Sequence, residues 1–370
     1  MMERRQVVRL WRRGGASVLV TLVHVAGSSY RLPGARLLLA LHGEYAGTIS
    51  GGCLETEVLR KAEWMVREGA VVERYSTLFD DTAEIPFGLG CGGVVDLLME
   101  PVDTVECRAL MEAMERALAG EDVVVVTWLP GEGRGLRRVV LTKDGTVIFA
   151  SEGLSTKKLG CARELRGGEE YEGRFVEELR APQRLFVLGA GDDAKPLVNV
   201  ASLLGWSVTV ADGRAQLARV ERFPDAERVV ALGDAGLTEL RIRETDAVVL
   251  MTHSYEQDRG WLTSLLPVRL RYLGLLGARH RSSLLVSEAA AIIGLPVAEC
   301  CERIHAPVGL DLGGDGPEAI ALAVIAEAHA VCMGKLGASR RLSAEDVARH
   351  VSEGGASRYL QVQCALDAVQ

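Results

Sequence analysis

Two cysteines sit in glycine-rich surroundings where a thiol can meet a ligand. Cys53 ends the run GTISGGC at residues 47–53, and Cys91 lies inside GLGCGG at residues 88–93. Glycine tolerates positive φ and lets a second molecule approach the backbone closely. A helical pattern begins directly after Cys53, so this thiol stands at a helix N-terminus, where the dipole favours the thiolate. Thiolates of this kind serve as soft metal ligands or sulfur nucleophiles. The same residues also fit two small buried side chains, because free cysteine is among the most buried residue types. Gly51, Gly52 and Gly92 border the two thiols. Ser28-Ser29-Tyr30-Arg31 and Gly34-Ala35-Arg36 bring hydroxyls and two cations near them in sequence, enough to line one anionic pocket with Cys53. Turn chemistry alone explains the Gly and Pro of that stretch, but not both Arg31 and Arg36.

A different chemistry is written in the second half. GAGDDA at residues 189–194 has the G-x-G-x-x-A form of a dinucleotide turn, led by Gly189 and Gly191. Asp212 ends the following strand, where an acid would meet a ribose. Asp192 and Asp193 fall where a helix N-terminus would receive a pyrophosphate; they suit helix capping and repel an anion, and Lys195 offsets part of that charge. Two readings stay open: an NAD(P) site, or a Rossmann-like scaffold that binds something else. His253 follows a strand, at the end where open α/β sheets bind ligands; a histidine bonded within its own loop fits equally. Arg279 and Arg281, in GARHR, start a helix and can cradle an anion, or simply form a solvated basic helix start. No Ser-His-Asp set, H-E-x-x-H, Walker A loop or paired-carboxylate motif is present.

The elements that must position these groups change rhythm near residue 181. Before it, residues 16–25, 36–41, 44–49, 70–75, 94–100, 121–129, 136–142 and 146–149 read as strands. Amphipathic helices are expected near the N-terminus, at 54–68 and at 104–118. Residues 151–180 read as a solvated linker with a little strand or helix. After residue 181, strands at 184–188, 207–211, 228–232, 246–251 and 271–275 alternate with helices, as a parallel sheet requires. Pro317 opens a long apolar helix at 318–332. The expected class is α/β: an N-terminal mixed α/β domain at 1–180, a Rossmann-like domain with a mainly parallel sheet at 181–335, and a partly helical tail at 336–370.

The 370-residue length favours two domains over one. A net charge of −8 lacks the basic footprint of a nucleic-acid binder. No apolar run reaches membrane-spanning length, and the Arg-rich first residues are no secretory signal. The eight cysteines form no C-x-x-C pair, so a reducing cytoplasm is the expected setting.

Taken in order, GSSYRLPGAR, GTISGGCLETEV and FGLGCGGVVDLLMEP resemble the N-terminal domain of the xanthine dehydrogenase accessory and CO dehydrogenase maturation proteins, the XdhC/CoxF type. LFVLGAGDDAKPL, VADGRAQLA, MTHSYEQD, YLGLLGARHR and IHAPVGLDLGGDGPEAIALAVIAEAHAV resemble its Rossmann-type C-terminal domain. The resemblance implies an accessory protein rather than a turnover enzyme. Such a protein binds the molybdenum cofactor, assists its sulfuration with a cysteine desulfurase, and delivers it to an apo-molybdenum hydroxylase. It also implies that Cys53 and Cys91 contact molybdenum or sulfur, and that Arg31, Arg36, Arg279 and Arg281 suit a phosphorylated pterin. The chain departs from a common family form at Asp192, where a histidine often follows GAG. Competing readings are an NAD(P)-dependent oxidoreductase with His253 as acid/base and a module that only recruits partners. A homodimer would allow sites to form between domains of different chains.

Overall fold

The computed structural model of the protein describes residues 1–27, 29–52, 54–76, 94–131, 133–164, 173–233 and 236–335. Cys53, Cys91, Gly92 and the expected helix in the tail lie outside the described residues.

The first element is an amphipathic helix, α1 (Met2–Arg13), which buries Val7, Val8 and Leu10. Five strands follow: β1 (Ala16–Ala26), β2 (Arg36–Ala40), β3 (Tyr45–Gly47), β4 (Val71–Ser76) and β5 (Val94–Pro101), with α2 (Glu55–Met65) before β4. They pair antiparallel in the order β3-β2-β1-β5-β4. β1 is central, and its apolar run VLVTLV is buried throughout. Helix α2 covers one face through Val58 and Ala62. It stops at Met65, short of the expected residue 68; the turns after it end at Gly69, whose φ is +121°.

Helix α3 (Val105–Leu118) is capped by the Thr104 hydroxyl, which accepts from the Cys107 amide at 3.1 Å. Behind it come β6 (Val123–Trp128), β7 (Arg137–Thr142), β8 (Val147–Ala150), α4 (Thr156–Glu164) and β9 (Arg174–Leu179). These strands form a second antiparallel sheet in the order β8-β7-β6-β9. One apolar cluster unites α1, α3 and facing residues of both sheets. Two ion pairs stitch the sheets as well. Arg138 on β7 donates to both carboxylate oxygens of Glu100 on β5, at 2.9 Å each, with both side chains 1% exposed. Arg36 on β2 pairs with Glu177 on β9.

That second pair bears on residues 151–180, read as a solvated linker with a little strand or helix. They contain α4 and the strand β9, which is a full partner of β6. The paired acids Glu177-Glu178 disguise the strand, because the Glu177 carboxylate is buried on Arg36 rather than facing water.

The remaining chain is doubly wound. Its elements are β10 (Arg184–Leu188), α5 (Ala194–Leu203), β11 (Ser207–Asp212), β12 (Arg228–Ala231), β13 (Ala247–Leu250), α6 (Tyr255–Leu265), β14 (Tyr272–Leu275), α7 (Arg279–Ile293), α8 (Val297–Glu302) and α9 (Pro317–Cys332). Five parallel strands run in the order β12-β11-β10-β13-β14. Apolar residues of α5 and α9 pack on one face of the sheet, and those of α6 and α7 on the other. The inner strands are therefore continuous apolar runs rather than alternating ones. Strand order reverses between β10 and β13, which puts a ligand crevice at their carboxyl ends. None of the described helices is long and apolar enough to cross a membrane.

The first turn of α1 ties the two halves together. A Cβ on Gly205, just after α5, would stand 2.7 Å from the Met1 Cβ and 2.8 Å from the Met2 nitrogen. Arg4 donates to the Arg180 carbonyl at 2.8 Å, and Arg5 lies 3.8 Å from Glu227. Residues 180, 205 and 227 all precede strands, so α1 begins at the strand-start end of the parallel sheet.

Candidate functional site

The loop leading to Cys53 is shaped by two carboxylates. Glu3 on α1 accepts from the Thr48 amide at 2.6 Å and the Thr48 hydroxyl at 3.1 Å, and it pairs with Arg31. Glu55, the first residue of α2, accepts from the amides of Ile49, Ser50 and Gly52 at 3.0, 2.8 and 3.1 Å, and from the Ser50 hydroxyl. Burial pushes the Glu55 carboxyl up, but the Ser50 hydroxyl and the amides outweigh it and hold it below its usual range. The ring of Tyr30 lies over Gly51, where a Cβ would meet it at 3.8 Å. The structure thus brings the loops carrying Arg31 and Gly51-Gly52 side by side.

Arg36 is placed elsewhere: its side chain is buried, donating to Glu177 and to the Gly34 carbonyl. Arg31, by contrast, opens onto a groove of about 740 Å³ between α1 and β3, lined by Arg9, Arg13, Tyr45 and Thr48 among others.

The second set gathers at the carboxyl ends of β10, β11 and β13. Gly189 has φ +130°, and a Cβ there would strike the Met251 carbonyl and stand 2.9 Å from the Thr252 nitrogen. Only glycine lets the turn lie this close to the strand beside it. Asp212 is fully buried. One of its oxygens accepts from the Ala190 amide at 2.8 Å, and both bond the Arg214 guanidinium at 2.8 and 3.0 Å. Burial raises its pKa, but Arg214 and the two backbone amides outweigh this and depress it.

The two acids of the turn behave differently from the sequence expectation. They do not cap α5: Asp193 occupies the N-cap position, but its side chain makes no capping bond. Asp192 pairs with Lys195 at 2.7 Å and Arg222 at 3.0 Å, and these two cations hold its carboxyl below the usual range. Asp193 Oδ2 lies 2.8 Å from His253 Nε2. His253 has a left-handed φ of +63° and an exposed ring.

Below it, the buried Asp258 accepts from the Thr252 hydroxyl and from Arg281, both at 2.7 Å. Arg279 begins α7 and is exposed. Gly189, Gly191, Asp212 and His253 are thus one constellation, joined to Arg281 through Asp258 and Thr252. Among the described residues, no cluster of three or more His, Cys, Asp or Glu is arranged to hold a metal ion.

These two places stand apart. Thr48 and Arg31 hang on Glu3 at the start of α1, against the strand-start end of the parallel sheet. The crevice at the carboxyl ends of β10 and β13, the mouth of the sheet, lies at the other end, the length of α5 away, about 15 Å. Sequence reasoning missed Glu3, Glu55 and Arg214. Glu55 carried a faint signal, an acid in the first turn after a glycine-rich loop; Glu3 acts across 45 residues and carried none.

Two family models match different parts of the chain. Residues 10–76 match the family described as XdhC and CoxI, and residues 185–328 match the XdhC Rossmann domain. A curated relative from Bacillus subtilis, described as a probable xanthine dehydrogenase subunit, is 28% identical over 84% of this chain and 92% of its own length. The molybdenum cofactor insertion chaperone PaoD of Escherichia coli is 24% identical over 88% of this chain and 87% of its own. A solved structure described as a xanthine dehydrogenase from Bacillus halodurans superposes with a TM-score of 0.76 at 29% identity, covering 92% of this chain and 98% of that one. With both of its halves matched in order, the chain belongs to the XdhC and CoxI family.

Proposed function

We propose that this protein is a maturation factor for molybdenum hydroxylases of the xanthine dehydrogenase or CO dehydrogenase type. It takes up the molybdenum cofactor as cargo, assists its sulfuration, and delivers it to an apo-enzyme. A cysteine desulfurase supplies the sulfur, and the work is done in the cytoplasm. The observation that carries this reading is the near full-length similarity to a protein named as a molybdenum cofactor insertion chaperone.

The chemistry of the N-terminal groove supports it. The cargo is a phosphorylated pterin, and the groove has a size that small ligands use, with Arg9, Arg13 and Arg31 on its wall. Arg36 is committed to Glu177, and the groove's own acids Glu3 and Glu44 pair with Arg31 and Arg13, so these arginines leave the groove only a modest positive excess. Cys53 and Cys91 are the thiols assigned to contact molybdenum or sulfur, as soft ligands suited to it. Cys53 directly follows a loop whose amides are already held by Glu3 and Glu55, so its approach is pre-shaped. Cys107 is no competitor: burial first, and Glu100 next to it, push that thiol well above its usual value. In a homodimer, the groove of one copy and the mouth of the other can face each other although they are separated within one chain.

The test is retention of molybdenum after the protein is mixed with released cofactor and passed over a sizing column. Wild type should retain it, and Cys53→Ala and Cys91→Ala should each retain roughly tenfold less at limiting cofactor. Equal retention by both variants removes the thiols from the site while leaving cargo binding intact. No retention by wild type removes the cargo reading itself.

A further inference from the structure

A G-x-G-x-x-A turn works because its second glycine leaves a notch where a pyrophosphate can lie against the backbone, at the start of the following helix. In this chain the notch is filled from within. A Cβ built on Gly191 would stand 2.5 Å from Asp193 Oδ1 and 4.0 Å from the His253 ring. The other oxygen of Asp193 is held by His253 Nε2 at 2.8 Å. His253 reaches it from a left-handed backbone conformation, which side chains other than glycine's rarely adopt.

The ribose side of the mouth is filled too. Asp212, the acid that would take a ribose hydroxyl, is buried with both oxygens bonded to Arg214 and one also to Ala190. A Cβ on Gly213 would stand 2.8 Å from Gln257 Nε2, so that amide covers the backbone beyond Asp212.

We propose that Asp193 is a specificity-determining residue: its carboxylate, braced by His253, occupies the phosphate notch at Gly191 and excludes dinucleotides and other phosphate ligands from the turn. The two neighbouring acids are not equivalent in this. Asp192 points to solvent and is matched by Lys195 and Arg222, so its charge is already answered. Asp193 lies in the notch itself, and its one described partner is a histidine. A phosphate entering here meets a fixed anion in the space it needs, which is exclusion by a built-in repulsive group. The proposal goes beyond the cargo reading and does not depend on it, since the probe below contains no molybdenum cofactor.

The experiment is a calorimetric titration of the full chain with ADP. Wild type should bind no tighter than about 1 mM. Asp193→Ala should bind roughly tenfold tighter or better, because both the charge and the bulk leave the notch. Asp192→Asn should stay within about twofold of wild type, because it removes an anion that Lys195 and Arg222 already neutralise. His253→Ala should also gain little, because the carboxylate remains. Micromolar binding by wild type overturns the proposal. So does an Asp193→Ala protein that melts like wild type and gains nothing, or an Asp192→Asn gain equal to that of Asp193→Ala. If Asp193→Ala does not fold, Asp193→Ser is read in its place by the same criteria.

Discussion

The loop at residues 48–52 and the turn at residues 189–193 are both glycine-rich, and each has carboxylates within reach. They use them in opposite ways. In the loop, Glu3 and Glu55 accept from four backbone amides, those of Thr48, Ile49, Ser50 and Gly52. In the turn, the Ala190 amide goes to Asp212, while Asp192 and Asp193 face side-chain partners. The path of that backbone is set instead by contact, with Gly189 pressed against Met251. One region is moulded by charge and the other by shape. The first should therefore be sensitive to loss of a side chain and to acid, and the second to the gain of a methyl group.

The largest effect is expected where shape decides. Gly189→Ala puts a methyl into the Met251 carbonyl at a φ of +130°, which an alanine cannot adopt without strain. Neither β10 nor β13 can yield, since both are inner strands of a buried sheet. A loss of about 3 kcal/mol or more is expected in denaturant unfolding. A loss under about 1 kcal/mol would mean that the turn has slack, and that shape does not hold it.

Glu55→Ala should cost less, about 2 kcal/mol, because two of the three freed amides, those of Ser50 and Gly52, are only part-buried, although the Ile49 amide is buried. The same group makes the loop acid-sensitive. Its folded pKa is depressed, so its stabilisation is fully present above the unfolded value of about 4.3 and is lost as pH falls through the lower folded value. The amide resonances of Ser50 and Gly52 should therefore titrate together below the ordinary carboxylate range, and Glu55→Ala should abolish that step. Amides that do not move in acid would place the control of this loop elsewhere.

How much of this was legible follows from the distance over which each interaction acts. The parallel sheet was readable because local apolar runs, glycines and strand ends carry it, and Gly189, Asp212 and His253 stand at strand ends as the pattern requires. A little strand or helix is expected in 151–180, but β9 cannot be placed because Glu177 looks solvated until Arg36, 141 residues away, is seen to pair with it. Asp193 reads as a helix cap because it stands just before α5; its side chain makes no capping bond, and the His253 ring that captures it arrives from 60 residues on. Glu3 belongs to the same class. Each of these carboxylates is decided by a partner that only the tertiary fold brings near. A local pattern can say that a charge stands at a turn, but not which group will answer it.

The smallest of these effects tests whether charge contributes to the mouth at all. Asp212 is fully buried, and breaking a buried ion pair usually costs several kcal/mol because the surviving charge is stranded. Here the survivor would be Arg214, whose side chain is 42% exposed and can return to water. An asparagine at 212 would also keep an oxygen for the Ala190 amide. Asp212→Asn should therefore cost only about 1 kcal/mol. Because the folded pKa of Asp212 is depressed, its contribution is present above the unfolded value of about 3.9 and disappears as pH falls through the folded one. The difference between variant and wild type should accordingly shrink towards zero in strong acid. A cost near that of Gly189→Ala would mean that a carboxylate holds the mouth as firmly as packing does, and the contrast between the two turns would then be lost.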